Sequence, residues 1–420
     1  MTTSPSTRGA LLRDPAFVRL LTARTLSMLA IAFAPVALAF GVLELPGATA
    51  TTLSLVIAAE AIAAVLFTLL GGVVADRYSR STVLQLAEWA NAAVHLVMAA
   101  MFLTGHAPIA GLMAMAAVAG IASAVAWPAL TGIIPEVVPA PVLQEGNAVL
   151  GLGGNLARVG GLVAGGIVVV AIGAGWALAC AGVAFAIAGY LVARLRLPRR
   201  TIDLDAPTST IWAELRGGWG EFVSHTWLWV VVLEFSVLVM MWQAAHLVLG
   251  PVVAKNELGG AATWTMALTA ESIGLIVGGL TALRWRPSRP ILAVALLSYV
   301  AAPPYLLLGM SAPLPAILVA MFGIGFGFEL LVILWQTTLQ REVPPEALSR
   351  VSSYDALGSL VLGPLGLVLA GPAADHFGVH PVLIFCGIVI ALAATGALCV
   401  PAVRNLRSGT SAPCVGTDVA

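Results

Sequence analysis

The chain reads as an all-α polytopic membrane protein, with twelve transmembrane helices forming two six-helix repeats around a central cavity. Three observations lead there. Apolar residues make up 60% of the 420 residues and charged residues only 10%, too little charge to cover a soluble surface of this size. Apolar runs of twenty or more residues recur from position 16 to about position 400, with no comparably long polar stretch. Runs of that length cross a bilayer as helices, and the alternating ten-residue strands of a transmembrane barrel are not seen. The third observation is an internal repeat, described below.

Clusters of Pro, Gly and charge divide the chain into spans at 16–43, 51–74, 82–104, 108–133, 143–171, 175–195, 227–250, 261–283, 289–309, 313–340, 347–372 and 379–401. Asp, Arg and Pro mark most of the joins, because they are costly in hydrocarbon and break or cap helices. The mostly polar start, MTTSPSTRGALL, lacks a small-residue cleavage site after a short apolar core, so no removable signal peptide is expected.

Arginine placement sets the orientation. Arg8, Arg13, Arg19, Arg77, Arg80, the cluster Arg194 to Arg200, Arg216, Arg284, Arg286, Arg289, Arg341, Arg350, Arg404 and Arg407 fall on one side, and the opposite loops hold only Lys255. Basic residues stay in the cytoplasm. With an even span count, both termini are expected there, in the cell inner (cytoplasmic) membrane.

The expected organisation is an N-terminal tail (1–15), a six-helix bundle (16–195), a linker (196–226), a second bundle (227–401) and a C-terminal tail (402–420). In the linker, Ile211, Leu215, Trp219 and Phe222 share one helical face, away from Glu214, Arg216 and Glu221. That suits a helix lying in the cytoplasmic interface, with a solvated linker as the alternative.

The repeat joins "PEVVPAPVLQEGNAVLGLGGNLARVGGLVAGG" to "REVPPEALSRVSSYDALGSLVLGPLGLVLAG", setting Glu136 on Glu342, Pro139 on Pro345, Leu143 on Leu348 and Gly161 on Gly366. Two parallel repeats imply two similar bundles facing across a cavity, a design for alternating access rather than an ion pore.

Gly72, Asp76, Arg77 and Arg80 in "GGVVADRYSR" resemble the G-x-x-x-D-R-x-G-R-K-x signature between helices two and three of the major facilitator superfamily. Ser79 and Ser81 replace the second Gly and the Lys, and the second-half copy "GGLTALRWRP" has Leu283 in place of the acid. The resemblance covers residues 10 to 400 and implies that family's fold. It also implies that this stretch latches the outward-open state. Asp76 would meet the positive N-terminus of helix eleven near Pro345, while Arg77 and Arg80 bind carboxylates or lipid phosphates. A plain positive-inside anchor is the alternative.

Within the family, "GFGFELLVILWQTTLQREVPPEALSRVSSYDALGSLVLGPLG" and "IIPEVVPAPVLQEGNAVLG" look like proton-coupled exporters of the macrolide-efflux and enterobactin-exporter type. Gly161 replaces the Pro of the antiporter helix-five pattern, whereas helix eleven keeps Gly363-Pro364. The glycine density of helix five allows close packing against a neighbour.

Ionisable residues inside hydrocarbon are costly and mark function. Arg24, Glu60, Glu88, Arg158, Glu234, Glu271, Glu329 and Asp355 lie within spans, six acids against two arginines. A carboxylate without a cation escapes the ionisation penalty by binding a proton, which is what proton coupling requires. Glu329 leads, mid-span in helix ten, with Gln336 and Gln340 on its face. The resemblance implies that this helix lines the cavity. Asp355, on a face with Ser352 and Ser359, is a gate or proton carrier, and Glu60 and Glu271 lie near the midplane of helices two and eight. Arg158, one turn from Asn155, and Arg24 are expected to pair with acids or to hold an anionic substrate group. Gln243 and His246, one turn apart on helix seven, are candidates for substrate contact. Glu88, Asn91 and His95 form a stripe expected to be a structural polar network. Each acid also has a purely structural alternative.

No P-loop, metal-ligand cluster or nucleophile constellation is present, so no ATP, metal, cofactor or enzyme activity is expected. Cys180, Cys386, Cys399 and Cys414 show no pairing or ligand spacing. The resemblance implies a secondary active transporter, a multidrug-type antiporter that exports an amphipathic small molecule (a drug or siderophore-like metabolite) in exchange for protons. A metabolite importer and a non-transporting protein such as a lipid scramblase are the alternatives. The expected partners are a small-molecule substrate, protons and the lipid bilayer, with no nucleic acid, and the chain is expected to act as a monomer.

Overall fold

The structure is a computed structural model that describes residues 11–139, 142–195 and 219–406. Twelve of its helices are long and apolar enough to cross a membrane. The first six are α1 (Pro15–Leu43), α2 (Ala50–Arg77), α3 (Arg80–Leu103), α4 (Ile109–Val137), α5 (Leu143–Ile172) and α6 (Ala174–Ala193). The second six are α7 (Thr226–Glu257), α8 (Ala261–Ala282), α9 (Pro290–Gly309), α10 (Leu314–Glu342), α11 and α12 (Val379–Cys399). The helix α11 comes in two pieces, Pro345–Leu360 and Gly363–Phe377. Only residues 219–224 of the expected linker helix are described, and they are helical.

Three spans are irregular next to proline, whereas Pro35 sits inside the continuous α1. Proline lacks an N–H and its ring clashes with the carbonyl four residues back. A π-helical stretch, Ala244–Leu249, precedes Gly250-Pro251 in α7, a 3₁₀ stretch, Ser298–Ala301, precedes Pro303-Pro304 in α9, and α11 breaks just before Gly363-Pro364. The span α7 also runs on to Glu257 instead of ending near residue 250.

Two compact units divide the chain, and they do not follow the sequence repeat. The first holds α1–α6 together with residues 243–269 and 364–382, and the second holds the remainder of α7 to α12. The divisions in α7 and α11 fall at the π-helical stretch and at the Gly363-Pro364 break.

In the first unit, α3 packs on α6, α2 on α4, and α1 on α5 and α6. The glycines of α5 make the α1 contact possible. A Cβ at Gly161 would lie 2.8 Å from the Leu29 carbonyl oxygen, so the position that lacks the antiporter proline is also one where backbones meet. At the end remote from the arginines, α1, α2 and α5 pack on residues from the second repeat. The Lys255 ammonium donates to the Leu43 carbonyl, the Thr51 hydroxyl to Asp375 (2.6 Å) and the Ser54 hydroxyl to the Leu367 carbonyl (2.5 Å). Glu257 and His380 pair at 2.7 Å on the same end.

The second unit is built around α9 and α10, with Trp227, Leu228, Val231, Ile291, Leu331, Trp335 and Val351 in its core.

Candidate functional site

Three helices of the second unit enclose a cavity of about 190 Å³. From α7 come Val231, Val232 and Phe235, from α10 Leu331, Trp335 and Gln336, and from α11 Asp355 and Ser359. Within each set the residues are one, three, four or five positions apart, so one face of each helix supplies the wall. The helices α7 and α11 approach closely because Gly358 has no side chain. Its carbonyl accepts the Ser236 hydroxyl, and a Cβ there would lie 2.5 Å from a Val232 methyl.

Asp355 is the acid of this cavity, 8% exposed. Its Oδ2 accepts the Trp335 indole N–H at 3.0 Å, and the Ser359 hydroxyl reaches Oδ1 at 3.5 Å. An indole nitrogen can only donate, so Oδ2 is held as an acceptor, and the loosely engaged Oδ1 is the oxygen left to carry a proton. No Arg, Lys or His forms an ion pair with it among the described residues.

Glu329 takes a different place. It is half-buried on α10, with its Cβ 3.2 Å from a Cβ built at Gly278 of α8, and its Oε1 lies 3.8 Å from one built at Gly279. It is two turns from Gln336, which lines the Asp355 cavity while Glu329 does not. Glu271 is half-buried on α8, within electrostatic reach of the fully buried Tyr305 of α9.

Glu60 is half-buried on α2, and no ion pair joins it to Arg24 or Arg158. Arg24 lies beside Gly154 of α5, its Nε buried without a hydrogen-bond partner among the described residues. Arg158 and Asn155 are exposed on α5. Gln243 opens the π-helical stretch of α7 with its Oε1 buried and without a hydrogen-bond partner among the described residues. His246, inside that stretch, is buried with its ring 5.5 Å from Trp264. It packs in the interior rather than lying free at a helix end.

Of the latch residues, Arg80 donates to Glu136 of α4 at 3.2 Å, a partner that spacing alone did not indicate. The side chains of Gly72, Asp76 and Arg77 lie outside the described residues.

The α3 stripe is less connected than a network. Asn91 and His95 bond to backbone oxygens of their own helix, and only Glu88 crosses over, accepting the Ser27 hydroxyl of α1 at 2.7 Å. The second repeat holds a counterpart with the roles exchanged. Glu234 on α7 is buried beside Ser298 of α9, whose hydroxyl donates to the Val294 carbonyl at 3.3 Å instead. Both Glu234 oxygens lack a partner among the described residues. The repeat register of spans one with seven and three with nine could have found this exchange. The Trp335 donor left no such trace, because it sits 20 residues from Asp355 in a different helix. No group of three His, Cys, Asp or Glu side chains suited to a metal occurs among the described residues.

A sequence profile described as the Major Facilitator Superfamily matches residues 16–366. The multidrug efflux pump Tap of Mycolicibacterium fortuitum is 27% identical over 81% of this chain and 84% of its own. The MFS-type transporter YvqJ of Bacillus subtilis (strain 168) is 22% identical over 73% of this chain and 74% of its own. A point-mutant structure of the nucleoside transporter NupG superposes with a TM-score of 0.76 at 13% identity, over 91% of this chain and 99% of that one. The chain belongs to the major facilitator superfamily, a family of multi-pass membrane transporters.

Proposed function

We propose that this major facilitator superfamily member is a secondary active transporter that exports an amphipathic small molecule in exchange for protons. The observation that carries the reading is Asp355, an acid in an apolar cavity with no cationic partner among the described residues. Asp355 therefore takes precedence over Glu329 as the proton carrier, with Glu329, Glu271 and Glu60 as further members of a relay. A cavity of about 190 Å³ is smaller than the roughly 300–1,000 Å³ of drug-sized pockets. It accommodates the apolar end of a cargo, and the remainder lies elsewhere. The distant resemblance to an efflux pump supports the outward direction. The arginine-rich side faces the cytoplasm, both termini included, in the inner membrane.

In this reading, protonation of Asp355 favours one access state and its release the other. Switching breaks the contacts of Lys255, Thr51 and Ser54 at the remote end and engages Asp76, Arg77 and Arg80 at the arginine-rich end.

The test is efflux of dye from loaded cells by wild type, Asp355→Asn and Glu329→Gln at matched expression, with and without a protonophore. Loss of protonophore-sensitive efflux in Asp355→Asn supports the assignment. Full efflux in that variant, with an unchanged pH dependence, removes Asp355 from the mechanism. Import of a metabolite is the second reading, favoured by Gly161 in the antiporter position. Protonophore-sensitive accumulation of substrate in intact cells would establish it.

A further inference from the structure

We infer that Arg24 and Arg158 form an anion-binding subsite on the α1–α5 pair, so that the transported molecule carries a carboxylate, sulfonate or phosphate group. The inference rests on the transport reading and names the substrate class.

The two helices are locked together by glycine contacts, Gly161 against Leu29 and Gly165 against Phe33. Toward the arginine-rich end, the same seam brings Gly154 against Met28 and the Arg24 side chain, with a Cβ at Gly154 only 3.8 Å from the Arg24 Nε. Arg158 is one turn further along α5 and Asn155 is adjacent to Gly154, so both side chains start from α5 within about a turn of the Arg24 contact.

Among the described residues, neither cation has an ion-pair partner. The Arg24 Nε is buried with no acceptor, and Arg158 forms no ion pair among the described residues. A buried N–H without an acceptor is destabilising, which favours a ligand that supplies one. The described intramembrane acids of this unit, Glu88 and Glu60, form no ion pair with either arginine. Glu88 engages Ser27, and Glu60 forms no ion pair.

Arg158 is the sixteenth residue of a 30-residue helix, far from either end. A cation at that depth is costly in contact with lipid. Positions 158, 162 and 166 lie on one face, and Gly166 on that face packs against Thr265 of α8. Guanidinium groups bind carboxylate, sulfonate and phosphate oxygens in pairs of parallel hydrogen bonds, and Asn155 adds an amide donor. In the second repeat Glu234, Glu271, Glu329 and Asp355 lie inside spans, whereas Lys255, Arg341 and Arg350 lie near helix ends. The anion subsite and Asp355, the leading proton carrier, thus sit on different repeats.

The test is equilibrium binding of carboxyfluorescein to the purified full chain in phosphatidylcholine nanodiscs. Benzoate, benzenesulfonate and phenyl phosphate serve as competitors, and rhodamine 6G as a cationic control. Wild type is expected to bind carboxyfluorescein, more weakly at high salt. Arg158→Gln and Arg24→Gln should each weaken it about 10- to 100-fold, Arg158→Lys should restore part of the loss, and rhodamine 6G binding should not change.

Arg158 is exposed, so its variant tests the subsite even if Arg24→Gln fails to fold. Arginine-dependent loss of dye binding in phosphatidylglycerol nanodiscs would identify a lipid headgroup as the anion. Anion binding that is absent in wild type, or unchanged in Arg158→Gln, overturns the subsite. Binding needs no gradient and no direction. Its failure leaves the export reading standing, whereas arginine-dependent binding without protonophore-sensitive efflux sinks export and keeps the subsite.

Discussion

Gly371→Ala is the most direct probe of access switching. Gly371 lies in the second piece of α11, where it meets α2 backbone to backbone. An added Cβ would lie 2.3 Å from the Thr51 Cα and 2.7 Å from both the Ala50 carbonyl oxygen and the Ser54 Cβ. Two of those atoms are backbone and cannot rotate away, so α2 and α11 must part or the contact must open. Overpacking of this kind costs about 1–3 kcal/mol. The penalty is felt only while the remote end is closed, so it moves the equilibrium toward the state open at that end by about 5- to 150-fold. Ser54 is the reporter, because it is fully buried and its hydroxyl bonds to the Leu367 carbonyl. With the native cysteines replaced, Ser54→Cys should react slowly with a membrane-impermeant maleimide added outside. Adding Gly371→Ala should speed that reaction by the same factor. An unchanged slow rate, in a variant that still elutes as a folded monodisperse species, would refute the idea that this contact seals the remote end.

Removing the Lys255 ammonium with Lys255→Met deletes its bond to the Leu43 carbonyl, and should accelerate Ser54→Cys labelling in the same direction by a smaller factor. Trp335→Phe keeps an aromatic ring against Trp227 but removes the donor to Asp355. A hydrogen bond to a charged group contributes about 1.5–3 kcal/mol, so proton-driven efflux should fall several-fold or more with little change in expression. Arg80→Ala breaks an ion pair whose side chains are 22% and 27% exposed. Such pairs contribute about 0–1 kcal/mol, so the melting temperature should barely move, and a large transport defect in that variant would be the mark of the latch. Glu88→Gln can still accept the Ser27 hydroxyl and should be tolerated. Ser27→Val strips a buried carboxylate of its donor and should lower stability by about 1–3 kcal/mol, measured by thermal unfolding in detergent.

The membrane class, the twelve spans and the facilitator family are properties of the sequence by itself. Hydrocarbon penalises every exposed polar group so heavily that span length, Arg placement and a repeated Glu-x-x-Pro join leave a linear record. The same penalty made the buried acids and arginines stand out one by one. Linear order could not say what each of them touches. Periodicity sets Glu329 and Gln336 on one face of α10 and Asp355 and Ser359 on one face of α11. It does not show that Trp335 reaches across to Asp355 while Glu329 turns to Gly278 and Gly279 of α8. Nor does it show that Glu60 forms no ion pair with Arg24 or Arg158, or that residues 243–269 and 364–382 pack with the first six helices. Those outcomes depend on which faces meet and at what depth. Helix crossings built on glycine backbone contacts, and the proline-linked irregularities in α7, α9 and α11, settle that only in three dimensions.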